Sequence, residues 1–107
     1  MVKDYDFVIV GGGSAGCVLA ARMSENTGIS VLLLEAGGND WHPLYKVPAG
    51  FAKMTKGIGS WGYHTVPQKH LNNRVINYTQ AKVIGGGSTI NAQIYTRGNR
   101  LDYEEWR

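Results

Sequence analysis

The chain has one cysteine, Cys17, in 107 residues. A single thiol cannot form an internal disulfide, and such usage fits a reducing compartment, so a cytoplasmic location is expected. No stretch approaches the roughly 20 apolar residues that cross a bilayer, so no membrane span is expected. The opening MVKDYDFVIV is interrupted by Asp4 and Asp6, and no small-residue cleavage site comes after it; a secretory signal is not expected there. Basic residues exceed acidic ones by 11 to 8, but they are scattered from Lys3 to Arg107. Without a basic run there is no stripe for a phosphate backbone, and nucleic acid is not expected as a partner. His42, His64 and His70 lack metal-ligand spacing, so each reads as an ordinary polar residue and no metal is expected. There is no internal repeat and no low-complexity tract.

Glycine is what the chain has in excess, 15 of 107 residues, about twice ordinary usage. It is concentrated in two loops. Before the first, Phe7-Val8-Ile9-Val10 is a short apolar run, as expected of a buried parallel strand. Ser14 to about Thr27 reads as a helix, with Gly28 as its stop. Ile29 to Leu34 reads as a second buried strand. Strand, helix and strand in about thirty residues make a βαβ unit.

The first loop, Gly11-Gly12-Gly13-Ser14-Ala15-Gly16, satisfies G-x-G-x-x-G between that strand and that helix. Gly11 permits the tight turn, Gly13 lets backbone amides approach a pyrophosphate, and Gly16 lets the helix lie close to the strand. An anion there would meet unpaired N–H groups at a helix N-terminus. Glu35 ends the second strand, 19 residues after Gly16, where a carboxylate can accept hydrogen bonds from both ribose hydroxyls of an adenosine. The fold class is therefore α/β, a Rossmann-like dinucleotide-binding unit. NAD and FAD both carry an ADP half, and this loop does not choose between them.

Ala36 to about Gly59 has no clean period, although a short helix around Ala49–Lys56 fits. Tyr63–Val66 and Arg74–Tyr78 look like two strands, with Leu71-Asn72-Asn73 as their turn, since Asn tolerates the left-handed conformation. The hairpin and loop region is thus an addition to the βαβ unit. The second glycine loop comes next, in AKVIGGGSTINAQIYTRG. It lacks the third-glycine spacing of the fingerprint. It is not a P-loop either, because Lys82 precedes its glycines. It offers bare backbone amides and the side chains of Ser88, Thr89 and Asn91, which suits a long ligand extending beyond its ADP half.

Here the sequence resembles the GMC (glucose–methanol–choline) oxidoreductases, and in particular their choline and alcohol dehydrogenase-like members. Their first signature is met by Ala81, Lys82, Ile84, Gly85, Gly86, Gly87, Ser88, Ile90, Asn91, Tyr95, Gly98 and Glu104. Trp61–Gln68 is similar to the family's lead-in to that signature, Asp102–Trp106 to the family's segment at its end, and Glu35-Ala36-Gly37 to the family's second-strand ending. The resemblance implies FAD as cofactor and oxidation of an alcohol CH–OH group to an aldehyde or ketone, with oxygen or another acceptor reoxidising the flavin. It implies that Gly11, Gly13, Ser14, Ala15 and Gly16 hold the pyrophosphate, that Glu35, beside Ala36, holds the ribose, and that Trp61 lies near the adenine. Val83, Gly86, Ser88, Asn91, Ala92 and Ile94 would line the stretch from pyrophosphate to flavin. Some members attach FAD covalently through a histidine where Ile90 stands, so non-covalent FAD is expected here. Many members carry Ser or Cys at Gly87, so one cofactor contact is expected to be looser here, and many carry Arg at Gln80 and Gly at Asn73.

No residue matches the family's catalytic histidine, so no catalytic residue is expected within 1–107. These residues are expected to be the N-terminal part of an FAD-binding domain, with the substrate-binding and catalytic regions in the remainder of the same polypeptide. Two other readings stay open at this point: an NAD-dependent dehydrogenase with a stray glycine loop, and a nucleotide-binding module without chemistry. Asn99 to Arg107 reads as a helix start capped by Asn99. Cys17 reads as a buried, inert thiol, and Tyr95 and Trp106 read as packing residues.

Overall fold

The computed structural model describes residues 4–54 and 57–107. Strand β1 (Phe7–Val10) leads through the first glycine loop into helix α1 (Ser14–Met23), and β2 (Val31–Leu34) comes after it. The two strands pair in parallel, with Phe7 opposite Val31 and Val10 opposite Leu34. The βαβ unit is therefore present, and the fold class is α/β.

Its far end is fixed by a reciprocal clasp. The Ser30 N–H and hydroxyl both donate to the Asp6 carboxylate at 2.7 Å, and the Asp6 N–H donates to the Ser30 hydroxyl at 3.1 Å. These bonds, the Ser30 N–H first and its hydroxyl second, hold the Asp6 carboxyl below its usual range.

Helix α1 stops at Met23, short of Thr27, and Gly28 does not end it. Polar side chains compete for the backbone in that last stretch. The Ser24 hydroxyl donates to the Ala21 carbonyl, and the Gly28 N–H donates to the Asn26 side chain, so the chain turns early. The second strand correspondingly begins at Val31 and not at Ile29, whose N–H is taken by the Asn26 carbonyl.

After β2 come two 3-10 turns, Pro43–Lys46 and Pro48–Gly50, and a one-turn helix α2 (Phe51–Met54). The helix expected over Ala49–Lys56 is thus a 3-10 turn joined to α2, and its residues 55 and 56 lie outside the described residues, as do residues 1–3. The hairpin forms from β3 (Tyr63–His64) and β4 (Asn77–Tyr78), antiparallel and shorter than the sequence predicts. Thr65 leaves the regular ladder because its hydroxyl, as well as its N–H, is engaged with Ile76. Asn72 and Asn73 both adopt left-handed φ, 55° and 56°, as their turn requires. The second glycine loop enters helix α3 (Gly87–Ile90), and α4 (Arg100–Glu105) closes the chain with the Asn99 side chain accepting from the Leu101 N–H at 3.0 Å.

Among the described residues the buried core is Met54, Val83 and Ile90, with Tyr45 and Ala81 packed against it. It lies under the second glycine loop, not in the βαβ unit. The strands are parallel but not buried: Val10 is 83% exposed, because β1 and β2 pair only with each other among the described residues and the helix packed on them is α1. Tyr95, fully exposed, is not a packing residue, and Trp106 touches only Tyr103 among the described aromatic rings, edge-on at 5.5 Å. The radius of gyration is 18.1 Å, against about 13 Å for a compact domain of this length. No described helix is long and apolar enough to cross a membrane.

The Asp6 clasp has a sign in pH. A carboxyl held low stabilises the fold at pH values above its ordinary value of about 3.9, and that contribution is lost as pH falls through the lowered value. In the full-length protein, Asp6→Asn is expected to be less stable than wild type at neutral pH, with the gap closing as pH falls below the ordinary carboxyl range. Denaturant titrations across that range, monitored by circular dichroism, check this; a gap independent of pH contradicts it.

Candidate functional site

The two glycine loops meet. The Gly85 N–H donates to the Gly12 carbonyl at 2.7 Å. A Cβ placed on Gly86 would sit 2.7 Å from the Gly13 Cα, inside any permitted carbon contact, so glycine is what allows the backbones to approach. Gly86 also has φ 59° and ψ −137°, which only glycine adopts without strain. Gly12 is enclosed by side chains instead, since a Cβ there would lie 2.6 Å from Ile84 Cδ1 and 3.1 Å from Glu35 Cβ.

Gly11 turns the chain at φ 99°, where its N–H donates to the Leu34 carbonyl. Gly16 works by closeness: a Cβ there would overlap the Gly11 carbonyl oxygen. Gly13 differs, because a Cβ there would meet nothing within 4 Å. It caps α1 without any side-chain hydrogen bond, so the first-turn N–H groups at that end are not covered by a capping side chain. These are the conditions in which a helix N-terminus receives an anion.

Between the loops lies an open cleft of about 520 Å³, lined by Val10, Gly11, Gly13, Leu34, Glu35, Ala36, Trp61, Ala81, Val83 and Gly86. Glu35 is the one charged side chain in that lining. Both its oxygens already hold backbone amides: Oε2 accepts from the Gly12 N–H at 2.6 Å and Oε1 from the Gly37 N–H at 2.7 Å. A carboxylate has about four lone-pair sites, so two remain for a ligand. Trp61 stands at the rim, stacked on Tyr63 with centroids 5.8 Å apart and with the Lys82 ammonium 4.4 Å from its ring centroid.

Of the predicted cofactor residues, Gly11, Gly13, Glu35, Ala36, Trp61, Val83 and Gly86 line this cleft. Asn91 and Ala92 line a smaller cavity of about 310 Å³ together with Thr79, Gln80, Ala81, Gly87 and Ile90. Ala81 belongs to both linings, so the two spaces adjoin there. Ser14, Ala15 and Gly16 form the first turn of α1 beside the cleft. Ser88 is in neither lining: its hydroxyl donates to the Gly85 carbonyl at 2.5 Å, and the Thr89 hydroxyl to the Ile84 carbonyl at 2.7 Å, so both brace their own loop. Ile94 is exposed. Cys17 is half-buried, not buried, and its thiol donates to the Gly12 carbonyl at 3.1 Å.

Sequence reasoning missed Val10, Leu34 and Ala81 as lining residues and Gly37 as a support. The first two lie at the ends of β1 and β2, a signal present in the strand register. Gly37 is required because a Cβ there would overlap the Lys82–Val83 peptide, and no local pattern announces that crossing. His42 accepts from the Leu44 N–H at 3.2 Å, an ordinary hydrogen-bonded role. The described residues contain no group of histidine, cysteine and carboxylate side chains that could hold a metal ion.

A family model described as GMC oxidoreductase matches residues 5–107. An alcohol dehydrogenase (acceptor) of Pseudomonas putida is 47% identical over 103 residues, which is 95% of this chain and 19% of that protein. Among solved structures, pyridoxine 4-oxidase from Mesorbium loti superposes with a TM-score of 0.81 at 39% identity, over 96% of this chain and 20% of that one. An FAD-dependent oxidoreductase from Chaetomium thermophilum gives 0.70 at 39% identity, over 96% and 17%. The chain thus spans about a fifth of the length of the relatives it matches.

The glycine geometry separates two kinds of role. Gly16→Ala is expected to cost about 2 kcal/mol of stability, as overpacking against a rigid backbone does. Gly13→Ala, with open space and extended backbone at φ −76° and ψ −168°, is expected to stay within about 0.5 kcal/mol of wild type. Thermal or denaturant unfolding of the two variants in the full-length protein checks the order; equal losses would contradict it.

Proposed function

The chain belongs to the GMC oxidoreductase family, and from that premise we propose that it is the N-terminal part of an FAD-binding domain in an oxidoreductase acting on the CH–OH group of an alcohol. The observation that carries the reading is the union of the two glycine loops around one cleft. An NAD enzyme with a stray second loop would have no use for the Gly85–Gly12 bond or for the contact of Gly86 with Gly13. The exposed apolar strands support a place within a larger domain, since parallel sheets are covered on both faces.

The residues fit the cofactor. Gly11, Gly13, Ser14, Ala15 and Gly16 present the start of α1 to a pyrophosphate, with Gly13 leaving the approach bare. Glu35, beside Ala36, has acceptor capacity left for the ribose hydroxyls, and Trp61 offers an aromatic face at the cleft rim for the adenine end. Val83 and Gly86 carry the lining past the pyrophosphate, and the cavity beyond Ala81, with Asn91 and Ala92, continues it toward the flavin. In this proposal Ser88 acts by bracing the loop, with its lone pairs still able to accept, and Ile94 lies at the outer end of the stretch. Bound there, FAD supplies an acceptor for hydride from an alcohol carbon, which yields an aldehyde or ketone.

The chain's own contribution is to bind and orient. None of its residues is proposed as catalytic; the base and the substrate surface belong, in this reading, to the rest of the polypeptide, and reoxidation falls to oxygen or another acceptor. Ile90 is packed with Met54 and Val83 and has no nucleophilic atom, which supports non-covalent FAD. The single thiol, Cys17, supports a reducing, cytoplasmic setting.

The purified full-length protein is expected to show a visible flavin absorption band, and acid precipitation should release the flavin into the supernatant as intact FAD. A colourless full-length protein contradicts the cofactor; colour retained on the acid pellet contradicts its non-covalent attachment. Gly13→Ala should keep the fold and weaken FAD binding about tenfold or more, read by flavin fluorescence on titration.

A further inference from the structure

We propose that Glu35 is a positioning residue that holds the two glycine loops at ligand-ready spacing through its bonds to the backbone, a role separate from its contact with the nucleotide. The inference rests on the FAD reading above and adds to the ribose role expected there. Glu35 sits just past the end of β2, half-buried, and its two oxygens hold the N–H groups of Gly12 and Gly37. Those amides belong to different parts of the cleft. Gly12 is in the first glycine loop, and its carbonyl accepts from Gly85 of the second. Gly37 lies against the Lys82–Val83 peptide, which leads into that second loop, and the neighbouring Gly38 carbonyl accepts from the Ile84 N–H at 2.9 Å. One carboxylate therefore ties both walls of the cleft through backbone groups.

The chemistry of the place selects a carboxylate. Two converging N–H donors need two acceptor oxygens and no donor. Glutamine has one acceptor oxygen, and its NH₂ would face an N–H. Aspartate has both oxygens but is one methylene short of the reach. Hydrogen bonds to a charged group are also stronger than neutral ones, by about twofold.

The test compares FAD with an FAD analogue lacking the 2′ and 3′ hydroxyls of the adenosine ribose, on full-length wild type and Glu35→Gln. A positioning role predicts that Glu35→Gln weakens both ligands, the dideoxy analogue by about tenfold or more. If the analogue binds both proteins within about twofold, Glu35 acts only through the ribose and the proposal is overturned. Should Glu35→Gln fail to fold, hydrogen exchange on ligand-free wild type decides. The Gly12 and Gly37 amides should be protected about a hundredfold or more, and unprotected exchange would overturn the proposal. Failure of the FAD reading is seen separately, as wild type that binds no FAD, while the exchange measurement still judges the clasp.

Discussion

The peptide group of Gly12 is the point on which the rest depends. Its N–H is held by Glu35, and its carbonyl takes both the Gly85 N–H and the Cys17 thiol. Neither loop could sit where it does if Gly12 carried a large side chain, because Ile84 and Glu35 occupy that space. The neutral hydrogen bonds among these contribute about 1 kcal/mol net each, and the one to the Glu35 carboxylate about 2 kcal/mol. Their effect is geometric: they place two glycine loops, far apart in the chain, on either side of one cleft.

This matters because apolar burial contributes little here. Among the described residues three side chains form the core, and they lie beneath the second loop, where they hold Val83 and the end of α3. The βαβ unit, by contrast, leaves Val8, Val10 and Leu34 exposed. A two-stranded sheet has marginal stability alone. The cleft is thus assembled from backbone contacts on a small core, and its outer strands present the surface that further strands and helices of a larger domain would cover.

Much of this was legible in the sequence, for definite reasons. The G-x-G-x-x-G loop has one economical fold, so β1, the start of α1 and the acid ending the second strand came from spacing. The left-handed turn at Asn72 and Asn73 and the Asn99 cap came from side-chain chemistry acting within a few residues. The features that could not be read were set by contacts between distant segments. The need for glycine at position 37 comes from the Lys82–Val83 peptide that crosses it, far along the chain. Ser88 and Thr89 look like ligand groups in sequence, but carbonyls freed by the tight turn at Gly85 claim their hydroxyls first. The early end of α1 came from Ser24 and Asn26 outcompeting helical propensity, and the exposure of Tyr95 and Trp106 from the lack of any facing element among the described residues.

The central claim is that two glycine loops form one site for one long ligand. A structure of the full-length protein with its bound cofactor tests it most directly. The account predicts a single FAD whose pyrophosphate lies beside Gly13 at the start of α1, with Gly86 in contact across the cleft and hydrogen bonds of about 2.7–3.2 Å from backbone amides. A nucleotide seated on the first loop alone, with the second loop turned away from it, would contradict the account.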